Sequence, residues 1–331
     1  MNLRMKTGKI SENVLRRSVL KQIKTKREEV LIGAGIGEDC AILSFKEDSL
    51  IAASTASVAV CGSEGAKSAL HACVNHLAAS GADPVAVTIS AFFPENIEEA
   101  AIKEMMMQVE EECGKINVQI AGSTIQITGS AITPLLTVSG IGKSEKGHTV
   151  SVKNIKPGQD VVVSKWIGLE GTSMIAKRKE AELLTRYPVR LIEEAKGLDR
   201  FLSIVPEAAT AVKSGVRAMH GVTEGGIFGA LWEMAEGAGV GLEIDLKKLP
   251  VKQETIEVCE FFEINPYELL SGGCLLMTAD NGYNLVNALE QEQIPAAIIG
   301  RTTDSNDRIV INKEERRFLE PAKSDELYKV L

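Results

Sequence analysis

The stretch His220-Gly-Val-Thr-Glu-Gly-Gly226, Ile227-Phe-Gly-Ala-Leu-Trp-Glu-Met-Ala-Glu-Gly237, Val240-Gly-Leu-Glu-Ile244 reads as loop, helix and strand. Ile227, Leu231, Met234 and Ala235 recur at three- and four-residue spacing, which predicts a helix with one apolar side. Gly237 and Gly239 stop it. Val240–Ile244 then alternates as a strand. Gly225 and Gly226 accept backbone angles closed to other residues and let a neighbour approach the main chain. A glycine turn at the head of a helix leaves N–H groups beside the positive end of the helix dipole, which suits an anion. A tight packing turn without a ligand explains the same residues, and both readings stand at this level.

The pattern repeats on either side. Strands are expected at 50–55, 85–91, 118–121, 135–141, 161–164, 216–219, 296–300 and 308–311, and 271–277 is expected to turn into a strand. Helices are expected at 12–25, 65–80, 94–113, 206–213, 254–262 and 283–292. Helices alternating with strands in two similar halves predict an α/β (α+β) protein of two sandwiches. The boundary is placed near Lys156-Pro-Gly-Gln-Asp160, a turn between two strand-like runs. The domains are then a helical arm at 1–30, an N-terminal domain at 31–153 and a C-terminal domain at 154–331.

With 331 residues, two domains are the default. The 44% hydrophobic and 25% charged content is that of a soluble globular chain. A net charge of −8 and a pI near 5.3 argue against nucleic acid or an anionic membrane as partner. No apolar run reaches the ~20 residues of a membrane span. No secretory signal follows Met1, so a cytoplasmic location is expected. The six cysteines are scattered without a C-x-x-C pair, which predicts reduced, buried thiols. The basic residues of the arm, among them Lys6, Lys9, Arg16, Arg17, Lys21, Lys24, Lys26 and Arg27, form a solvated face or a phosphate-facing arm.

Gly33-Ala-Gly-Ile-Gly-Glu-Asp39 sets three glycines before two acids. This arrangement can bring main chain and carboxylates around a cation, or can be a loop ending in a solvated acid pair. His71, Cys73 and His76 lie in one predicted helix. Positions 71 and 76 are roughly 140° apart around its axis, so the three cannot converge on a metal.

Four segments in register resemble one family. Met219–Ala235 resembles the "HDVTEGG" segment of the aminoimidazole ribonucleotide (AIR) synthase superfamily, PurM-like proteins, with the hydrogenase-maturation HypE branch closest. Gly35-Ile-Gly-Glu-Asp-Cys-Ala41 resembles its "GIGEDAA". Val74-Asn-His-Leu-Ala-Ala-Ser-Gly-Ala-Asp-Pro84 resembles its "NDLAAMGARP". Lys165-Trp-Ile-Gly-Leu-Glu-Gly-Thr172 resembles its "K-x-x-G-I-E-G-T". The resemblance covers about residues 7–312. It implies two PurM-like α/β domains in a homodimer whose N-terminal strands form a shared barrel. It further implies ATP with Mg²⁺ held by acids and used to activate an oxygen.

Carried over residue by residue, the family pattern implies cofactor-binding roles for Gly35, Gly37, Glu38, Asp39, Asn75, Gly122, Thr223, Glu224, Gly225 and Gly226. Glu38 and Asp39 are the implied metal ligands. The loops Gly168–Thr172 and His220–Gly226 are implied to face the phosphates.

Four departures bear on the metal. Ala56, His76, Gln126 and Gly221 stand where the pattern has acids. Mg²⁺ demands hard oxygen ligands, and an imidazole does not replace a carboxylate for it. HypE-like chains finish with a reactive cysteine, whereas this sequence finishes Tyr328-Lys-Val-Leu331 and its last cysteine is Cys274. Two functions are therefore expected. One is a dimeric nucleotide- or ligand-binding relative with weakened or lost Mg-ATP chemistry. The other is an active ATP-dependent enzyme, of hydrogenase-maturation or phosphoryl-transfer type, with an altered metal site. The catalytic residues and the substrate are not readable.

Overall fold

In the first half of the chain, side-chain alternation sets the strands and helical spacing sets what covers them. The elements are β1 (Gly8–Lys9), α1 (Glu12–Val14), β2 (Val30–Ile32), β3 (Ile42–Leu43), β4 (Ser49–Ala59), α2 (Glu64–Ala79), β5 (Asp83–Phe93), α3 (Glu99–Lys115), β6 (Gln119–Ile127) and β7 (Leu135–Glu145). The computed structural model describes residues 8–35, 40–59, 64–146, 150–321 and 324–331. The chain divides into two units, residues 1–77 with 82–147, and residues 78–81 with 148–331.

The first unit holds a five-stranded sheet in the order β1-β6-β5-β7-β4 and a separate β2–β3 pair. β5 and β6 run parallel, joined through α3, while β7 is antiparallel to both β5 and β4. Leu70, Cys73 and Val74 of α2 and Ile102, Met106 and Val109 of α3 pack on one face of this sheet, against Ile89, Ile120, Ile125 and Val138. The opposite face is open. Thr55 and Ser57 on β4, Phe92 on β5, Thr124 and Gln126 on β6 and Leu135 on β7 are exposed there. Its hydroxyls pair across strands, Thr55 with Ser139 at 3.0 Å and Ser57 with Thr137 at 2.8 Å.

The N-terminal arm differs from the single helix expected over 12–25. After α1 it passes through a π turn (Leu15–Val19) and a 3-10 turn (Leu20–Gln22). It follows α3 and is fastened to it by acids. Arg17 forms a two-point ion pair with Glu99, and Ser18 donates to the same carboxylate. Glu110 Oε1 accepts the N–H groups of Lys24 (3.0 Å) and Thr25 (2.5 Å). Arg27 pairs with Glu29 and Asp83 and caps the carbonyls of Pro84 and Asn117. Arg17 and Arg27 of the arm thus meet the protein's own carboxylates.

The second unit contains β8 (Asp160–Ser164), α4 (Leu169–Arg178), α5 (Glu180–Leu183), α6 (Val189–Lys196), α7 (Val205–Lys213), β9 (Ala218–Val222), α8 (Gly226–Ala238), β10 (Gly241–Asp245), α9 (Gln253–Phe261), β11 (Cys274–Ala279), α10 (Gly282–Gln291), β12 (Ala296–Thr303), β13 (Arg308–Asn312) and β14 (Glu315–Phe318). Its seven-stranded sheet runs β14-β13-β10-β12-β8-β11-β9. α8 packs Ile227, Leu231 and Met234 on one face, against Val161, Leu242, Leu276 and Val310. Ala208 and Ala211 of α7 and Leu285 and Leu289 of α10 cover Val162, Met219 and Met277 on the other. Residues 220–222, read as loop, extend β9, because their main chain pairs with Cys274–Leu276 of β11. Gly239, in the left-handed region at φ 68°, ends α8 as expected, whereas Gly237 does not stop the helix but lies inside it.

Candidate functional site

Two positions where the family pattern has an acid lie on the same side of the sheet in the first unit. Along β4, Ser54, Ala56 and Val58 turn toward the helices, since successive strand residues alternate faces. His76 lies near the end of α2 and reaches back, its Nδ1 3.2 Å from the Ser54 hydroxyl. Ala56 follows Ser54 by one pleat on the same face. A methyl group and an imidazole thus stand where the pattern has two carboxylates. One turn earlier on α2, the Cys73 thiol donates to the Ser54 carbonyl at 3.6 Å. Burial pushes this thiol up to about 11, so it stays protonated and is a poor nucleophile at neutral pH. Asn75 is buried beside them.

Other expected positions fall elsewhere. Gly122 and Gln126 are on the open face of β6, whereas Ser54, Ala56 and His76 are on the helix-covered side. Gly35 is half-buried. Gly37, Glu38 and Asp39, including both expected metal ligands, lie outside the described residues. Among the described residues no three His, Cys, Asp or Glu side chains gather to hold a metal. His71 is directed away from His76. Its Nε2 lies 3.0 Å from Glu112, which Lys67 and Lys115 also approach. Burial raises the Glu112 carboxyl, but the hydrogen bonds from His71 and Lys115 outweigh this and hold it at about 2.

In the second unit the two glycine loops come together. Gly168, at φ 70°, heads α4, and its N–H donates to Ser271 Oγ at 2.7 Å. Gly171 N–H donates to the Leu270 carbonyl at 2.9 Å, and Ser271 N–H to the Thr223 carbonyl at 3.3 Å. Gly225 and Gly226, at φ 81° and 64°, form the turn into α8. A Cβ at Gly226 would stand 2.5 Å from the Tyr267 carbonyl oxygen, so the position requires glycine. Phe228 N–H donates to that same carbonyl at 3.1 Å. Segment 267–273 therefore ties the two loops into one knot.

At the α8 turn the N–H groups of Gly225, Gly226 and Phe228 are engaged within the chain. Gly226 N–H bonds the Thr223 carbonyl at 3.1 Å. Gly225 N–H meets an anion, but that anion is the Asp325 carboxylate, 2.7 Å away. Glu224 is exposed at the turn, and Gly221 sits in β9 with no side chain to offer. His220 Nε2 lies 2.9 Å from Glu233 of α8.

Next to the knot, Lys165 takes the left-handed region at φ 54°. Its ammonium donates to the carbonyls of Phe201 (2.8 Å) and Ser203 (2.6 Å) and pairs with Glu207. Glu207 is 1% exposed, and burial raises its carboxyl despite the lysine. Asp325, Ser271 and Glu207 are the residues that sequence reading missed. Lys165 lies in a motif, but Asp325, a lone acid a hundred residues from the Gly225 it holds, carries no local signature.

The AIR synthase related protein N-terminal domain model matches residues 37–144, and the C-terminal domain model matches residues 156–312. The carbamoyl dehydratase HypE of Rhodobacter capsulatus is 27% identical over 249 residues, 75% of this chain and 70% of that protein. The crystal structure of E. coli HypE superposes with a TM-score of 0.82 at 18% identity, covering 97% of this chain and all of that one. A HypE structure in complex with ATP gives 0.81 at 17% identity, covering 99% and 98%. The chain belongs to the AIR synthase related family, is HypE-like, and has the α/β fold of two PurM-like domains.

Proposed function

We propose that this member of the AIR synthase related family is a homodimeric nucleotide- or small-ligand-binding protein in which Mg²⁺-ATP chemistry is weakened or lost. Residues 31–153 form the ATP-binding type domain in this reading, residues 154–331 its C-terminal companion, and residues 1–30 an arm. The observation that carries it is the patch of Ser54, Ala56 and His76. Two neighbouring positions where the family pattern has aspartates hold a methyl group and an imidazole bonded to serine. Mg²⁺ keeps near-octahedral oxygen coordination, and ATP brings several negative charges that only the metal and nearby cations offset. Without these carboxylates, Glu38 and Asp39 would have to hold the ion with ligand oxygens and water.

Cys274 is not itself suited to act as a thiolate nucleophile. It is buried in β11, and burial pushes its thiol up to about 12. The open face of the first sheet supports the homodimer, because a second copy would cover its exposed Phe92 and Leu135. No helix among the described residues is long and apolar enough to cross a membrane, in keeping with a cytoplasmic protein.

Isothermal titration of ATP with and without Mg²⁺ tests the reading. The expected result is weak binding that Mg²⁺ does not strengthen. Tight binding that requires Mg²⁺, followed by release of ADP, would install the active-enzyme reading instead. Sedimentation is expected to give twice the 35.6 kDa chain mass, and a monomer would remove the dimer.

A further inference from the structure

The C-terminal segment is bound to the second unit through two consecutive buried acids. Asp325 is 2% exposed and Glu326 4% exposed. Asp325 Oδ2 accepts the Gly225 N–H at 2.7 Å. Its Oδ1 accepts Leu270 N–H at 3.1 Å and Leu327 N–H at 2.8 Å. Glu326 Oε2 accepts Asn265 N–H at 3.2 Å, and Glu326 N–H donates to the Glu268 carbonyl at 3.3 Å. Beyond them Leu327 is buried with Ile175, Ile192, Val258 and Leu269, and Val330 and Leu331 pack on the same cluster. Burying a carboxylate is unfavourable unless donors replace its water, and here main-chain N–H groups do so.

These contacts share one geometric property. One oxygen of Asp325 holds the glycine turn at the head of α8, and the other holds Leu270, next to the Ser271 that joins both glycine loops. Gly225 and Gly226 are in the left-handed region, a conformation that glycine permits but does not enforce. The turn has a few local bonds of its own, Gly226 to Thr223 and Phe228 to Tyr267. The contact that pins Gly225 from outside is the tail.

We propose that residues 325–331 are a strap whose docking locks the Thr223–Gly226 turn and the first turn of α8, so that release of the strap loosens both glycine loops. Asp325 is in this account a positioning residue for the turn. A partner or force that pulls on the C-terminal segment is transmitted to the turn through this carboxylate, with the Tyr328 hydroxyl on Glu224 as a second contact.

Hydrogen exchange of the full chain, read by mass spectrometry on peptides spanning 222–229, 268–273 and 324–331, tests the proposal. In Asp325→Ala the 222–229 peptide is expected to exchange at least about tenfold faster, the effect of losing a helix-terminal carboxylate contact. The 83–93 peptide of the first unit serves as control and stays unchanged. Leu327→Ala separates a strap from a local cap. Leu327 does not hydrogen-bond the turn, yet a strap predicts faster exchange at 222–229 when its apolar anchor is cut. Asp325→Asn keeps oxygen for one contact and gives an intermediate rate, which decides the matter should Asp325→Ala not fold. The proposal is overturned if 324–331 exchanges freely in Leu327→Ala while 222–229 keeps its original protection.

Discussion

The two units hold their buried acids in opposite ways. In the first unit, Glu29, Glu99 and Glu112 are each held at about 2. The Arg27 and Arg17 hydrogen bonds dominate for the first two, and those from His71 and Lys115 overcome burial for the third. In the second unit, burial raises Glu207 and Asp325 from their ordinary values, with Lys165 and main-chain N–H groups only partly offsetting it. The first unit is thus fastened by ionised carboxylates on its arm and on α3. The second keeps its acids inside a knot of loops. Acidification should therefore weaken the first unit and spare the second.

The largest expected effect follows directly. A lowered carboxyl contributes stability above its unfolded value, 4.5, and loses it as pH falls toward about 2. Glu29 and Glu112 each carry at most about 3 kcal/mol by this linkage, and the more exposed Glu99 less. A raised carboxyl has the opposite sign, so Glu207 and Asp325 do not oppose folding as they take up protons. Both tryptophans, Trp166 and Trp232, belong to the second unit. At pH 3, melting followed by far-ultraviolet circular dichroism should begin below the transition seen by tryptophan fluorescence. Coincident transitions at pH 3 would break the comparison.

Next is the buried pair. Lys165→Met removes one partner and should cost about 3–5 kcal/mol in urea unfolding followed by tryptophan fluorescence, because the buried Glu207 carboxylate and the Phe201 and Ser203 carbonyls lose their cation. The double variant Lys165→Met/Glu207→Leu should recover much of that loss. A Lys165→Met effect below about 1 kcal/mol would show that the pair is not desolvated as described.

Gly226→Ala should cost about 1–3 kcal/mol, since a Cβ at positive φ would press on the Tyr267 carbonyl. An unchanged midpoint would mean that the loop knot adapts freely. The smallest effect belongs to the first unit. Glu110→Gln keeps an acceptor for Lys24 and Thr25 but loses its charge, for about 1 kcal/mol in thermal unfolding at neutral pH. A larger loss would make the arm integral to the first core.

Much of the fold was legible. Leu50–Thr55, Val85–Ala91 and Leu135–Ile141 announce β4, β5 and β7 by alternation, and Ile227, Leu231 and Met234 announce α8 by helical spacing. Ends were less so. α3 begins at Glu99, with Glu98 extended before it, because Pro94–Ile97 closes its own turn instead of starting the helix. β14, Glu315-Arg-Arg-Phe318, lies on the sheet edge with every side chain exposed, so it has no buried face to write an alternation. At the candidate site, the family pattern marked Ala56 and His76 among four departures bearing on the metal, without saying which of them share one side of a sheet. The role of Asp325 was not marked, since a carboxylate that caps a turn from across the unit leaves no spacing to read.

The central claim is that the missing carboxylates at Ala56 and His76 remove magnesium dependence. Its most direct test titrates ATP into the unsubstituted chain and into Ala56→Asp/His76→Asp side by side, across a series of Mg²⁺ concentrations. The account predicts affinity that rises with Mg²⁺ only in the substituted chain. An equal rise in the unsubstituted chain would contradict it.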